Sequence, residues 1–400
     1  MGAKASPLET FLVFLRLGTT CFGGPIAHLG YFHEEFVVRR KWLDDHAFAD
    51  IVALCQFLPG PASSQVGLAI GLHRAGWLGA LAAWVGFTAP SAALMIAFAY
   101  GVGALGNLEH AGWLAGLKLA ALAVVAQAVW AMASKFCAER LTASFAIGGA
   151  IVVLTWSSGL SQILVITLGA LLGWMLFRHE AAENKTNGQS GHLRIPYGSS
   201  LGFVLLAVFL LLLFGLPVLS VWIQNSAVAA FAGFYRTGSL VFGGGHVVLP
   251  LLQTAVVNPG WVGNDRFLAG YGAAQALPGP LFSFAAYLGA VMKLQPNGWL
   301  GGLWCLLAIY VPAALLVFSF LPFWESLRRQ SFARAVLKGA NAAVVGVLLA
   351  ALYQPVWTSA VHGPTEFILA LAAYGFLTFW KWPPWLMVAF SALGGAIFLG

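Results

Sequence analysis

The sequence predicts an all-α polytopic membrane protein made of two inverted-topology repeats, with about 13 crossings and helices interrupted at Pro-Gly-Pro. Three observations carry that expectation. Of the 400 residues, 60% are hydrophobic and 8% charged; soluble domains carry roughly 25% charged residues, so lipid must solvate most of this surface. Apolar runs long enough to span a bilayer recur from one end of the chain to the other. A set of glycine- and proline-centred motifs returns at a near-constant offset in the second half.

A crossing needs roughly 20 apolar residues. Runs 8–29, 77–102, 111–135, 199–223, 226–250, 298–321, 332–354 and 361–379 meet that length, and 142–156, 159–177 and 382–399 are shorter but equally apolar. Segments 46–58 with 61–73, and 265–277 with 280–292, have about 13 residues each, ~20 Å of helix, too short to cross alone. Each pair is one broken span or a re-entrant hairpin. Counting each as one crossing puts the polar linker 178–198 on the side of the N-terminus, with Arg74, Lys135, Arg140, Arg328, Arg329, Arg334 and Lys381. The loops on the other side, near 103–110, 157–158, 223–226 and 354–362, lack Lys and Arg. The positive-inside rule then places the N-terminus in the cytoplasm and the C-terminus outside. Only Arg39, Arg40 and Lys41 fall on the wrong side. The expected organisation is a repeat over 8–177, a cytoplasmic linker over 178–198, an added helix at 199–223 and a second repeat over 226–399.

The net charge of +7 is read as topology, because the basic residues lie scattered in short loops; no nucleic-acid partner is expected. Cys21, Cys55, Cys137 and Cys305 form no CxxC or metal-ligand spacing, so neither a metal nor a redox cofactor is expected. No phosphate-binding GxxxxGK[ST] loop occurs, so this polypeptide is not expected to use ATP.

The duplication is detailed. "FLRLGTTCFGGP" from Phe14 matches "FYRTGSLVFGGG" from Phe234, pairing Arg16 with Arg236. "QFLPGP" from Gln56 matches "QALPGP" from Gln275, pairing Pro59 with Pro278. "GWLGALAAWVGFTAP" from Gly76 matches "GWLGGLWCLLAIYVP" from Gly298, pairing Pro90 with Pro312. "LKLAALAVV" from Leu117 matches "LKGANAAVV" from Leu337, pairing Lys118 with Lys338. An odd number of crossings before the second copy turns it upside down. Inverted repeats with interrupted helices are a common plan of secondary transporters, whose substrates bind at the midplane.

A helix broken in lipid leaves N–H and C=O groups unpaired at several kcal/mol each, unless protein, water or a ligand pairs them. Pro61 and Pro280 suit the first turn of a new helix. The free N–H groups behind them, Ala62 to Ser64 and Leu281 to Ser283, carry about half a positive charge from the helix dipole and attract anions. Candidate anion-binding residues are therefore Gln56, Pro59, Gly60, Pro61, Ser63 and Ser64, with Gln275, Pro278, Gly279, Pro280 and Ser283. The glycine turns Gly23-Gly24 and Gly243-Gly244 offer further close backbone amides. Arg16 and Arg236, deep in apolar runs, are expected to meet an oxyanion with paired guanidinium bonds; the plainer reading is snorkelling. Lys118 and Lys338 are read either as path residues or as interface anchors. Asp50, His28 and His246 are candidates for proton coupling, against simple packing.

"FGGP" with its mate "FGGG", the twin Q-x-L-P-G-P motifs, "GWLGA…AP" and "GLK…AVV" together resemble the chromate ion transporter family, over about Phe14 to Ala351 and more weakly beyond. The length resembles that of the family's long, two-domain members. The resemblance implies a secondary membrane transporter, not an enzyme, that exports chromate from the bacterial cytoplasm across the inner membrane and confers resistance. A departure is that Gly245 stands where the first copy has Pro25. The expected partners are chromate, with sulfate as the closest competitor, and the lipid bilayer; a homodimer stays open. Rivals are a carrier of sulfate or another oxyanion, an intramembrane enzyme and a passive anion channel.

Overall fold

A computed structural model describes residues 6–104, 111–156, 159–183, 193, 195–242, 245–324 and 330–399. Among the described residues there are helices and turns and no strand. The first repeat begins with α1 (Pro7–Thr20), started by Pro7 in the first turn. It stops because Gly23 and Gly24 take φ of +98° and +77°, a left-handed conformation that suits residues without a Cβ. The chain reverses there into α2 (Gly24–His33), which continues as a π-turn over Glu34–Arg39. Phe14 of α1 therefore meets Phe32 at 5.6 Å and Phe36 at 4.9 Å between ring centroids. At the open end, Arg40 reaches Glu9 at 3.1 Å.

A second hairpin follows the same plan. Asp44 caps α3 (Asp45–Phe57) by accepting from the Ala47 N–H at 2.7 Å. The chain turns at Pro59-Gly60-Pro61 into α4 (Ala62–Ala104), which breaks at Ala75 and Gly76. Arg74, just before that break, pairs with Glu9 at 3.3 Å. The guanidinium groups of Arg40 and Arg74 both lie over the Trp42 ring, at 5.6 and 4.8 Å. The chain thus approaches α3 and leaves the first part of α4 at one place, beside the start of α1. Beyond Gly76, α4 runs on for ~43 Å, at ~1.5 Å per residue, enough to cross. The helices α5 (Gly112–Phe136), α6 (Arg140–Thr155) and α7 (Gly159–Glu183) complete this repeat, and α8 (Ser199–Ile223) leads to the next.

The second repeat repeats the plan. α9 (Ser226–Leu240) is followed by a 3-10 turn and α10 (Val248–Val256). A Cβ built on Gly233 of α9 would lie 3.6 Å from that of Ala255 in α10, so these two also run back to back. α11 (Asn264–Gln275) and α12 (Phe284–Val291) flank the second Pro-Gly-Pro. Phe267 and Phe284 meet at 5.3 Å, the Tyr287 hydroxyl donates to the Arg266 carbonyl at 2.9 Å, and the Lys293 N–H donates to the Trp261 carbonyl at 3.1 Å. α13 (Gly298–Phe320), α14 (Ser331–Ala351), α15 (Pro364–Thr378) and α16 (Pro384–Phe398) follow.

This geometry corrects the segment count. Neither Pro-Gly-Pro pair is a single broken crossing; each folds back on itself. Runs 8–29 and 226–250 are not single spans either, because the chain folds back between Thr20 and Gly24 in the first and between Leu240 and Val248 in the second. Six helices among the described residues are long and apolar enough to cross a membrane: Ala62–Ala104, Gly112–Phe136, Leu160–Arg178, Ser199–Ile223, Gly298–Phe323 and Arg334–Ala360.

The two copies pack as counterparts. α4 and α13, which share the "GWLG" motif, lie antiparallel: Trp77 meets Phe318 at 5.0 Å, Trp84 meets Tyr310 at 5.6 Å, and Tyr100 accepts from the Trp299 N–H at 3.1 Å. Apolar burial around Phe14, Phe87, Leu316 and Val317 on one side, and Phe267, Phe284 and Ile309 on the other, fills the core.

Candidate anion site

The four hairpin tips meet at the centre through reciprocal backbone bonds. Gly60, in the first Pro-Gly-Pro, donates its N–H to the carbonyl of Val241 at 2.7 Å. Gly279, in the second, donates to the carbonyl of Cys21 at 2.8 Å. Cys21 and Val241 occupy the same position of the two copies, at the turn after α1 and α9. Each Pro-Gly-Pro turn is therefore pinned by the other repeat. Both glycines need the left-handed region, with φ of +127° and +92°.

A cavity of about 70 Å³ opens at this centre, lined by Gly23, Gly24, Gln127, His246, Gln275 and Gly279 together with apolar residues. A single water needs about 10–15 Å³ of such space, so the cavity suits a small polar solute. Gln275 contributes an amide Nε2 that is buried and has no hydrogen-bond partner among the described residues. His246 holds the Tyr271 hydroxyl at 3.0 Å through Nδ1. Gln127 of α5 donates to the Leu377 carbonyl at 3.3 Å. The structure thus gathers Gly23, Gly24, Gln275, Gly279 and His246 from separate motifs.

Other expected residues lie elsewhere. Gly243 and Gly244 fall outside the described residues. Ser63 and Ser64 are buried in the first turn of α4, and Ser63 Oγ lies 3.3 Å from Nδ1 of the buried His28. Pro61 precedes them, and Gln65 Nε2 donates to the Pro59 carbonyl at 2.9 Å, bracing the turn. Gln56 is exposed and lines no part of the central cavity. Pro278 and Pro280 frame Gly279, and the Ser283 N–H closes a turn to the Pro280 carbonyl at 3.0 Å.

Arg16 and Arg236 do not converge. Arg16 sits exposed on the last turns of α1, with Thr19 and Thr20 donating back to its carbonyl at 2.8 Å each. Arg236 lines a separate cavity of about 460 Å³, shared with Ser220, Thr254 and Asn258. Lys118 and Lys338 are tied down instead: Lys118 pairs with Asp265 at 3.1 Å, and Lys338 pairs with Glu139 at 3.0 Å and lies 4.4 Å from the Phe177 ring. Each lysine reaches a carboxylate of the other repeat. Asp50 accepts from the Trp324 indole at 3.3 Å. Glu35 is buried in the π-turn: burial pushes its carboxyl up, and the hydrogen bond and charge of Arg40, with Arg39 and Arg16, outweigh that and hold it below the usual carboxylate range. Gln127 escaped sequence reasoning. Its signal was a lone amide in the apolar run 111–135.

Comparison with known proteins finds a family and several relatives. The family model described as "Chromate transporter" matches the chain twice, over residues 8–174 and 228–396. A probable chromate transport protein of Synechococcus elongatus is 25% identical, covering 96% of this chain and 94% of its own length. Chromate transport proteins of Pseudomonas aeruginosa and Cupriavidus metallidurans are 26% and 25% identical, over 93% and 97% of this chain and 87% and 92% of their own lengths. No solved structure matches. With both repeats matched, the chain belongs to the chromate transporter family.

Proposed function

We propose that this protein is a secondary carrier that exports chromate, a tetrahedral dianion, by alternating access between two inverted repeats. The observation that carries the reading is the reciprocal pair of bonds, Gly60 to Val241 and Gly279 to Cys21, beside a polar cavity lined by residues of both repeats. The relatives named as chromate transport proteins support the substrate. In this reading hairpins α1–α2 and α3–α4 dip from the cytoplasmic face, and α9–α10 and α11–α12 dip from the opposite face. The antiparallel packing of α4 on α13 supports that inversion. The spans would be α4 beyond Gly76, α5, α6, α7, α8, α13 and α14, leaving the N-terminus inside and the C-terminus outside. The hairpin return of α2 puts Arg39, Arg40 and Lys41 on the same face as Glu9 and Arg74, which agrees with the positive-inside rule.

Arg16 and Arg236, one near the end of α1 and one near the end of α9, would receive the dianion in turn, with guanidinium forks matching its oxygens. Gln275, His246 and the amides of the glycine turns would hold it between them. The membrane potential, negative inside, favours anion exit by about 2.3 kcal/mol per charge per 100 mV. Everted vesicles containing this protein should take up chromate saturably, and sulfate in excess reports how far the site separates the two anions. Absence of saturable chromate uptake would overturn the substrate. An ohmic, non-saturating current would replace the carrier with a channel.

A further inference from the structure

Buried hydroxyls collect at one point that the central cavity does not include. Ser64 lies in the first turn of α4, Thr88 farther along the same helix beyond its break, and Tyr310 on α13; they are 3%, 1% and 3% exposed. The first turn of α4 lies against α13 one turn from Tyr310, with Gln65 Nε2 3.5 Å from the Ala313 carbonyl, and the Tyr310 hydroxyl is within reach of those of Ser64 and Thr88. Yet none of the three oxygens, all shut off from solvent, makes a hydrogen bond of proper geometry among the described residues. The same holds for the buried indole N–H of Trp84, whose ring lies 5.6 Å from that of Tyr310. Native interiors rarely leave buried polar groups unpaired, so four in one place point to a missing partner.

Position and chemistry restrict that partner. Thr88 and Tyr310 are the same site of the two repeats, 222 residues apart like Pro90 and Pro312. Because α4 and α13 cross antiparallel here, each repeat presents one hydroxyl to the axis relating them. The buried acid among the described residues, Glu35, is held by Arg39 and Arg40 at the open end of the α1–α2 hairpin. Gln65 turns its amide N–H to the carbonyls of Pro59 and Ala313. The three hydroxyls accept as well as donate, but their O–H groups, the indole N–H and the positive end of α4 can all turn donors to one bound group, a set that suits an anion and gives a cation no counter-charge.

We propose that Ser64, Thr88 and Tyr310 form a second oxyanion-binding position on the axis between the repeats, distinct from the cavity at Gly279. This rests on the reading of the protein as an oxyanion carrier. The test uses purified full-length protein in equilibrium binding with chromate and with sulfate, alongside uptake in everted vesicles. Tyr310→Phe removes one hydroxyl; a hydrogen bond to a charged group lost this way should weaken chromate binding about tenfold or more, with uptake falling in step. Thr88→Val and Ser64→Ala should act in the same direction, and they decide the matter if Tyr310→Phe fails to fold. Tyr235→Phe is the control, because that hydroxyl already donates to the Phe209 carbonyl at 3.0 Å; its affinity should match the wild type. If wild-type protein transports chromate and the hydroxyl variants bind it with unchanged affinity, the cluster holds water and the proposal is wrong. If wild-type protein neither binds nor transports either anion, the carrier reading fails and takes this proposal with it.

Discussion

Replacing Gly279 by Ala tests the centre of the fold by a single methyl group. Gly279 sits at φ +92°, where an L-residue pays about 1–2 kcal/mol. The added Cβ would lie 3.0 Å from Ser91 Oγ and 3.2 and 3.3 Å from the carbonyl oxygens of Gly18 and Phe87. The tip must retreat by tenths of an ångström, which weakens the bond from Gly279 to Cys21, worth about 0.5–1.5 kcal/mol. The expected loss is about 2–3 kcal/mol. Gly24→Ala supplies the comparison: its φ is +77°, but nothing lies within 4 Å of the added Cβ, so only the backbone strain of about 1–2 kcal/mol remains. Thermal unfolding of both purified variants, with chromate uptake in vesicles, reads the difference. Gly279→Ala should melt below Gly24→Ala and lose most of its uptake. Equal melting and wild-type uptake for Gly279→Ala would refute the argument that the tip is pinned where the structure has it.

Further outcomes follow from the charged residues. Arg16→Ala and Arg236→Ala should each cut chromate uptake about tenfold or more, the scale of a lost bond to a charged group, while Lys replacements recover part of it; unchanged uptake would remove the arginines from the path. Lys118→Met and Lys338→Met, which break partly exposed ties between repeats, should lower stability by no more than about 1 kcal/mol and leave equilibrium chromate affinity intact. Glu35 is held below its ordinary range, so its contribution is present above the unfolded value of about 4.3 and disappears as pH falls through the folded value. Glu35→Gln should therefore melt lower than wild type at pH 7, and the gap should narrow on acidification below about pH 4; a gap that widens instead would contradict the assignment.

The duplication and the Pro-Gly-Pro turns were legible because they rest on local chemistry: Gly60 and Gly279 need positive φ, and Pro61 and Pro280 begin new helical segments. The reversals at Cys21 to Gly24 and after Leu240 were not read, although Gly23 and Gly24 carried the signal. A hydrophobicity count over 8–29 sums through a turn that only the backbone conformation reveals. The misplaced Arg39, Arg40 and Lys41 were the visible symptom. Lys118 and Lys338 could be read only as path residues or interface anchors because their carboxylate partners, Asp265 and Glu139, belong to the other repeat. Tyr310 and Thr88 were illegible for the same reason: each is a single hydroxyl in an apolar helix until the antiparallel packing brings them together.

Cysteine labelling from either face tests the hairpin arrangement most directly. In a background with Cys21, Cys55, Cys137 and Cys305 replaced, single cysteines at His46 and Trp77 should both react with an impermeant maleimide from the cytoplasmic face. Cysteines at Arg266 and Lys293 should both react from the opposite face. Labelling of His46→Cys and Trp77→Cys from opposite faces, or of Arg266→Cys and Lys293→Cys from opposite faces, would mean that the Pro-Gly-Pro segments cross the membrane and that their tips do not meet as described.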